Sequence, residues 1–221
     1  MSDDLPSATP TDAAGLVAKA QLLGVTLASE AAARLLAYLD AMLALNEQLN
    51  LTAVRDREAA VVLHALDSLA FGRLSVRPQH LLDLGSGNGF PGVAVALLHP
   101  NASAVLLDRT GKKVRAIGAC LLTARIDGVE TVQADAQQAP SLHREMRGAF
   151  DVVTARAVGA PEAVAQLAAP LLRPRGALVL WLDAATAAPA ALPDCRREHV
   201  EDYALPEPAP RQRRLAVYRR R

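Results

Sequence analysis

Apolar positions between residues 29 and 49 fall at helical spacing: Leu35, Leu36, Leu39, Met42, Leu43 and Leu49 recur every three to four residues or their multiples. Thr26 or Ser29 is placed to cap that helix. The stretch "NLTAVRD" (Asn50 to Asp56) breaks the period. A second amphipathic run extends from Arg57 to about Phe71, with Val61, Val62, Ala65, Leu66 and Leu69 on one face. After "RPQH" the pattern changes, and short apolar runs alternate with longer amphipathic ones. "HLLDL" leads into a helix expected over Pro91 to Leu98, and "SAVLLD" into one from about Lys112 to Arg125. "VETVQAD" and "FDVVTARA" follow, then a helix over Pro161 to Leu172 and the run "GALVLWL". Wholly apolar strands separated by helices predict a parallel sheet covered on both faces. "EHVEDYAL" and "RRLAVYR" suit a closing antiparallel pair. The pattern has no internal repeat. It predicts a helical extension over residues 16–78 and a doubly wound α/β domain over 79–221, behind a polar, Pro-rich segment (1–15) expected to be disordered.

Composition narrows the chemistry. Hydrophobic residues make up 51% of the 221 and aromatics only 3%, so the core must be aliphatic. The net charge of +1 carries no global polyanion signal. The cations are nevertheless clustered: Arg211 to Arg221 holds six arginines and no acid, and "RTGKKVR" (Arg109 to Arg115) holds four. Such blocks are either solvated surface or a footprint for phosphates. Cys120 and Cys195 are too far apart for a C-x-x-C pair, and the histidines show no metal-ligand spacing, so no metal site is expected. The acidic start lacks the apolar core of a secretory signal, and no apolar run approaches the roughly 20 residues that span a bilayer. A cytoplasmic protein with reduced thiols and no membrane contact is expected.

The candidate chemistry lies in "HLLDLGSGNGFPGVAVALL" (His80 to Leu98), where four glycines fall within eight residues after a strand. The first strand-to-helix turn of an open α/β sheet is where ligands sit, and glycines there permit close backbone approach. Two registers are open. Gly87, Gly89 and Gly92 match the dinucleotide fingerprint literally, but two residues late. Asp83, Gly85, Gly87 and Gly89 form the D-x-G-x-G-x-G arrangement of class I S-adenosylmethionine methyltransferases, in which the loop holds the amino-acid end of the cofactor. Asp108 ends the next strand, 23 residues after Gly85, where a carboxylate accepts hydrogen bonds from ribose hydroxyls. A third strand ends at Asp135, Ala136 and Gln137, where methyltransferases usually contact adenine. A tight structural turn remains the bland alternative for the loop alone.

Beyond the loop, "LNLTAVRDREAAVVLHALDSLA", "LDLGSGNGFPGVAVAL", "LLDRTGKKVRAI", "FDVVTARAV" and the late "RRLAVY" come in this order. Together they resemble the bacterial 16S ribosomal RNA guanine-N7 methyltransferase family, also called glucose-inhibited division protein B or ribosomal RNA small subunit methyltransferase G. The resemblance runs from about Leu35 to the C-terminus. It implies a Rossmann-like, mostly parallel seven-stranded sheet, S-adenosylmethionine as cofactor, and guanine 527 in the 530 loop of 16S RNA as target. The substrate it implies is that RNA or the small ribosomal subunit, with an assembly intermediate as one form, and a monomeric enzyme is expected. Carried over, the family's cofactor contacts fall on Gly85, Phe90, Ala136, Gln137 and Arg156. Leu45, Arg109 and Ala155 depart from the family pattern, the last where a serine is common.

Guanine N7 offers a free lone pair, so the residues need to align and exclude water, and no general base is expected. Arg156 is the candidate for orienting the substrate, with a structural ion pair to Asp83 or Asp151 as its alternative. His64 and Asp67 in "HALDS" share a helical face, where His64 is either a substrate contact or a structural histidine. Asn50, Thr52 and Arg55 either order the entrance or cap helices. Arg55, His64, Lys112, Lys113, Arg115, Arg213 and Arg214 are the candidate RNA contacts. Two other classes compete: an NAD-dependent oxidoreductase, for which Tyr38, Tyr203 and Tyr218 supply no catalytic set, and a non-enzymatic RNA-binding module.

Overall fold

The computed structural model describes residues 10–221. Eight strands form one sheet in the order β3-β2-β1-β4-β5-β8-β7-β6. Strands β1 (His80–Leu84), β2 (Ser103–Asp108), β3 (Val129–Gln133), β4 (Phe150–Arg156) and β5 (Leu172–Asp183) run parallel. Strands β6 (Ala191–Leu192), β7 (Cys195–Leu205) and β8 (Arg211–Arg220) close the sheet antiparallel. The seven-stranded expectation is therefore one strand short. The extra strand is a two-residue hairpin arm, turned by Asp194 in the left-handed region at φ 55°. Strand order reverses between β1 and β4, which opens a crevice at their carboxyl ends.

Side-chain alternation divides the core into two layers. On one face Leu81, Leu106, Val152 and Val179 pack under the N-terminal helices together with α5 (Gly92–Leu98) and α6 (Gly111–Thr123). On the other, Leu82, Leu107, Val153 and Leu178 pack under α7 (Ala139–Leu142) and α8 (Pro161–Ala168). Helix α2 (Ser29–Leu49) buries Leu35, Leu36, Leu39 and Met42 in the first layer, so the helical extension and the sheet share a core.

Several boundaries differ from the pattern for identifiable reasons. Helix α1 (Ala13–Leu22) begins inside the segment expected to be disordered, because Asp12 caps it by accepting the Gly15 amide at 2.8 Å; residues 1–9 lie outside the described chain. Neither Thr26 nor Ser29 caps α2: the extended Ala28 precedes it, and Ser29 is its first residue. Asn50 ends α2 in the left-handed conformation that asparagine tolerates. Helix α8 stops at Ala168 instead of Leu172, since Pro170 has no amide to continue it, and Leu172 opens β5. Pro91 precedes α5 instead of starting it, and the Phe90–Pro91 peptide is cis.

Residues 57–73 are helical throughout but not uniformly α. Arg57–Ala60 (α3) leads into a π-helical turn at Val61–Leu66, then Asp67–Leu69 (α4) and a 3₁₀ turn at Ala70–Arg73. A π-turn widens the helix by one residue and loosens its carbonyls from the α ladder. That local departure presents His64, Asp67 and the Leu63 carbonyl to the end of β4.

Candidate active site

Two adjoining cavities of about 370 and 330 Å³ occupy the crevice. Gly85, Asp108, Lys113 and Ala157 line both, so they are lobes of one cleft.

The smaller lobe sets apolar side chains beside Asp108, Arg109, Thr110, Lys113 and Asp135. The glycine loop turns through Gly85, Gly87 and Gly89, all at positive φ. The amides of Gly85 and Ser86 donate to the Leu107 carbonyl at 2.8 and 3.0 Å, which docks the loop on β2. Asp108 accepts the Gly87 amide at 2.9 Å and the Thr110 amide at 2.8 Å, so its carboxylate is aimed before any ligand arrives. Asp135 and Ala136 line this lobe with Leu107 and Leu167, and the Asp135 carboxylate accepts the Gln137 amide at 2.8 Å. Gln137 itself is exposed and lines neither lobe.

Two loop residues have roles different from those expected. Asp83 is not a wall of the cleft: it is 1% exposed, behind the loop, with one oxygen accepting the Thr154 hydroxyl at 2.7 Å and the other unpartnered. Burial pushes its pKa up to about 6, with the Thr154 hydrogen bond working the other way. Gly89 does not line the cleft either. The Tyr38 hydroxyl, which donates to the Asn88 carbonyl at 3.0 Å, occupies the space where a Gly89 side chain would start, 1.9 Å from an ideal Cβ. Glycine is needed there for packing, at the foot of the loop.

The larger lobe combines the glycine-loop residues Gly85 to Asn88 with side chains from the helical extension, β4 and β8. Phe90 packs edge-on against Tyr38, with centroids 5.5 Å apart, and stacks on His64 at 5.7 Å. Arg156, at the end of β4, is paired with neither Asp83 nor Asp151. It donates through Nη1 to Asp67 Oδ2 and the Leu63 carbonyl, both at 3.0 Å, and through Nη2 to the Phe90 carbonyl at 3.3 Å. Nη2 also lies 3.5 Å from His64 Nδ1. Its fork is thus engaged by the chain itself and is not free to grip a guanine edge. Asp151 instead accepts the Gln79 and His80 amides, each at 2.9 Å, at the opposite end of the sheet.

His64 is 8% exposed, and its pKa is lowered to about 3 by burial and by the Arg156 charge, against a smaller pull from Asp67. With the Arg156 donor at Nδ1, the neutral tautomer assigned from the network carries its proton on Nε2 and donates to Thr52 Oγ1 at 2.9 Å. His64 is therefore a wall of the lobe as well as a packed histidine, and Thr52 holds its ring in place.

Strand alternation separates the two β8 candidates. Arg213 faces the cleft, donating to Asp67 Oδ1 at 3.1 Å through Nε and to Asp183 at 2.6 Å through Nη1. Arg214 points to the other face and pairs with Asp202 at 2.7 Å, away from the lobe. Lys113 lines the cleft, whereas Lys112, Arg115 and Arg55 are exposed outside both lobes. Residues not named individually as contacts from the sequence complete the wall: Asn88 and Arg211 line it, and Tyr203 donates to Asp67 Oδ1 at 2.5 Å beneath. Period-two alternation from the buried Leu215 was the one signal able to select Arg211 and Arg213 over Arg214.

Both thiols are buried, and burial raises their pKa, that of Cys120 to about 11, which leaves them unreactive. Among the described residues no helix is long and apolar enough to cross a membrane, and no three His, Cys, Asp or Glu side chains gather to hold a metal ion.

Comparisons with known proteins fit this geometry. A family model for GidB, rRNA small subunit methyltransferase G, matches residues 31–192. Ribosomal RNA small subunit methyltransferase G of Acinetobacter baumannii (strain ATCC 17978) is 38% identical over 152 residues, 69% of this chain and 71% of that protein. The protein of that name from Acinetobacter baylyi is 41% identical over 138 residues, 62% of this chain and 63% of its own length. Among solved structures, MtNAS in complex with MTA and tNA superposes with a TM-score of 0.53 at 16% identity, covering 83% of this chain and 70% of that one. That likeness is one of fold.

Proposed function

The chain belongs to the ribosomal RNA small subunit methyltransferase G family, and from that premise we propose that it methylates N7 of guanine 527 in the 530 loop of 16S ribosomal RNA. Its cofactor is S-adenosylmethionine, and its substrate class is ribosomal RNA. The observation that carries the proposal is the division of one cleft into a lobe lined by Asp108, Asp135 and Ala136 and a lobe lined by four cations, joined at Gly85 and Asp108.

The smaller lobe fits the cofactor. Asp108, buried and pre-aimed by two amides, keeps acceptor capacity for the ribose hydroxyls. Asp135, Ala136, Leu107 and Leu167 offer an apolar slot with a polar edge for adenine. Gly85, shared by both lobes, and Gly87, on the wall of the larger one, bring backbone close to the amino-acid end. Asp83 supports the loop from behind without touching the ligand. When bound, S-adenosylmethionine supplies an activated methyl group on a sulfonium centre. The chain's contribution is alignment: the Phe90–His64 stack and Leu51 and Leu63 exclude water beside the Gly85 junction, and the neutral His64 adds no charge next to a base that becomes cationic. No residue is required to remove a proton, because N7 carries none. Arg156 orients the site from within the wall, and Lys113, Arg211 and Arg213 face the RNA.

We further propose that the enzyme acts as a monomer in the cytoplasm on the small subunit or an assembly intermediate. The test supplies tritiated S-adenosylmethionine with small-subunit RNA, both naked and in particles, from a strain lacking this modification. Label at N7 of that guanine by mass mapping is expected, with sedimentation at one chain. Absence of label on every form of the RNA sinks the assignment.

A further inference from the structure

Five polar groups converge on Asp67, which is 2% exposed at the junction of the π-turn and α4. Its Oδ1 accepts Arg213 Nε at 3.1 Å and the Tyr203 hydroxyl at 2.5 Å. Its Oδ2 accepts Arg156 Nη1 at 3.0 Å and Arg213 Nη2 at 3.3 Å. Its backbone carbonyl takes the Trp181 indole proton at 2.9 Å. Residues from β4, β5, β7 and β8 are thereby referred to one helical position.

The two arginines are left in different states. Both Arg156 terminal nitrogens are occupied by Leu63, Asp67, Phe90 and His64. Arg213 makes the fork contact with Asp67 and one contact to the exposed Asp183, so among the described residues one proton on each terminal nitrogen has no partner. The charged residues lining this lobe are four cations, Lys113, Arg156, Arg211 and Arg213, against Asp67 and Asp108. The surplus positive charge at a half-open wall suits an anionic group. A cation against N7 itself would oppose the charge that methylation creates there.

We propose that Asp67 is a positioning residue for the RNA substrate: it locks Arg213 in a fixed orientation, buttressed by Arg156, so that the outward edge of Arg213 takes a backbone phosphate of the RNA strand at the target base. The inference rests on the methyltransferase reading above. Arg213 is the group that touches substrate, and Asp67 acts through it. The planar fork makes this specific, since a guanidinium held on one edge by a carboxylate presents its other edge in a defined direction, and an ammonium does not.

The experiment compares wild type, Asp67→Asn, Arg213→Lys and the double variant, with S-adenosylmethionine affinity measured by calorimetry and RNA KM and kcat by methyl transfer over a range of salt. For Asp67→Asn the expected result is a rise in RNA KM of tenfold or more, with cofactor affinity and kcat within threefold. The slope of log KM against log salt should become shallower by about 0.7, the value for one phosphate contact on a single strand. Arg213→Lys should show the same signature, and the double variant should be no worse than the more affected single one, because both remove one interaction. Additive defects, an unchanged salt slope, or a loss confined to cofactor affinity overturn the proposal. If Asp67→Asn does not fold, Arg213→Lys decides: wild-type RNA KM and salt slope there overturn it equally. A wild-type chain that binds S-adenosylmethionine but labels no RNA refutes the methyltransferase reading instead.

Discussion

Asp67 and Asp83 are both carboxylates withdrawn from water, 2% and 1% exposed, yet their surroundings are opposite. Around Asp67 the chain gathers two guanidiniums and a tyrosine hydroxyl. Around Asp83 it places one threonine hydroxyl and leaves an oxygen unpartnered. The same contrast separates the lobes they serve. The lobe proposed for the cofactor is shaped by backbone turns that a carboxylate supports from behind, with Asp108 held in place by two amides. The lobe proposed for the RNA depends on a constellation of side chains whose directions depend on one another. Backbone scaffolds tolerate a weakly stabilised buried acid; a side-chain constellation needs its central charge.

The largest expected effect follows from removing that charge. Asp67→Ala leaves two guanidiniums, each about 12% exposed, without their shared carboxylate, and breaking a buried ion pair from one side costs about 3–5 kcal/mol. Burial works against the Arg213 charge, and the Asp67 carboxylate overrides it to raise the guanidinium pKa, so that compensation is what the alanine removes. Urea unfolding at pH 7 measures the loss. A change below about 1 kcal/mol would show that the arginines find other partners and would erase the contrast with Asp83.

The next two predictions concern pH and have opposite signs. His64 titrates at about 3 when folded against 6.5 ordinarily, so the unfolded chain binds the extra proton. Its contribution is complete above pH 6.5 and is lost as pH falls toward 3, by roughly 5 kcal/mol across that range at about 1.4 kcal/mol per pH unit. Asp83 titrates at about 6 when folded against 3.8 ordinarily, so here the folded chain binds the extra proton. Its contribution is complete below pH 3.8 and is lost as pH rises through 6, by roughly 3 kcal/mol. Between pH 4 and 6 the two nearly cancel. His64→Gln should therefore leave a stability that falls faster with rising pH than wild type, and Asp83→Asn one that rises faster. Urea midpoints at half-unit pH intervals give both differences. Parallel wild-type and variant profiles would mean that the two groups are not buried alike after all.

The lobes also differ in how far they could be read from residues alone. The glycine loop, Asp108 and the Asp135–Ala136 turn each sit at the end of a strand, and a strand followed by a turn is a local pattern. The parallel order of β1 to β5 and the antiparallel closure follow from the same local runs of apolar residues. Asp67 meets Arg156 across 89 positions of sequence and Arg213 across 146, and no period links them. Residues named individually, such as His64, Arg156 and Arg213, do gather in the cleft, but their mutual contacts changed their meaning: Arg156 became a buttress and Arg213 the exposed edge. The loop aspartate misled in the other direction. Its place in the glycine motif suggests a ligand contact, yet burial behind Gly85 makes it a support, a distinction that depends on which way the strand's side chains alternate.

The smallest expected effects test where the RNA lobe ends. Lys112, Lys113 and Arg115 are close in sequence but not on one face, since successive helical positions turn by about 100°. Lys113 lines both lobes, and Arg115 points about 200° away from it around α6. Arg214 is turned to the opposite face of the sheet from Arg213 and is held by Asp202. Lys113→Ala should raise RNA KM several-fold and flatten its salt dependence, whereas Arg115→Ala and Arg214→Ala should stay within twofold. Lys112→Ala should fall between them, because its position is a quarter-turn from the cleft. If Arg115→Ala or Arg214→Ala weakens RNA as much as Lys113→Ala, the strand wraps beyond the cleft mouth, and general surface charge, not the wall that Asp67 organises, carries the affinity. If only Lys113 and Arg213 matter, the RNA is held where the two lobes meet, and the clustering of cations along the chain is incidental to binding.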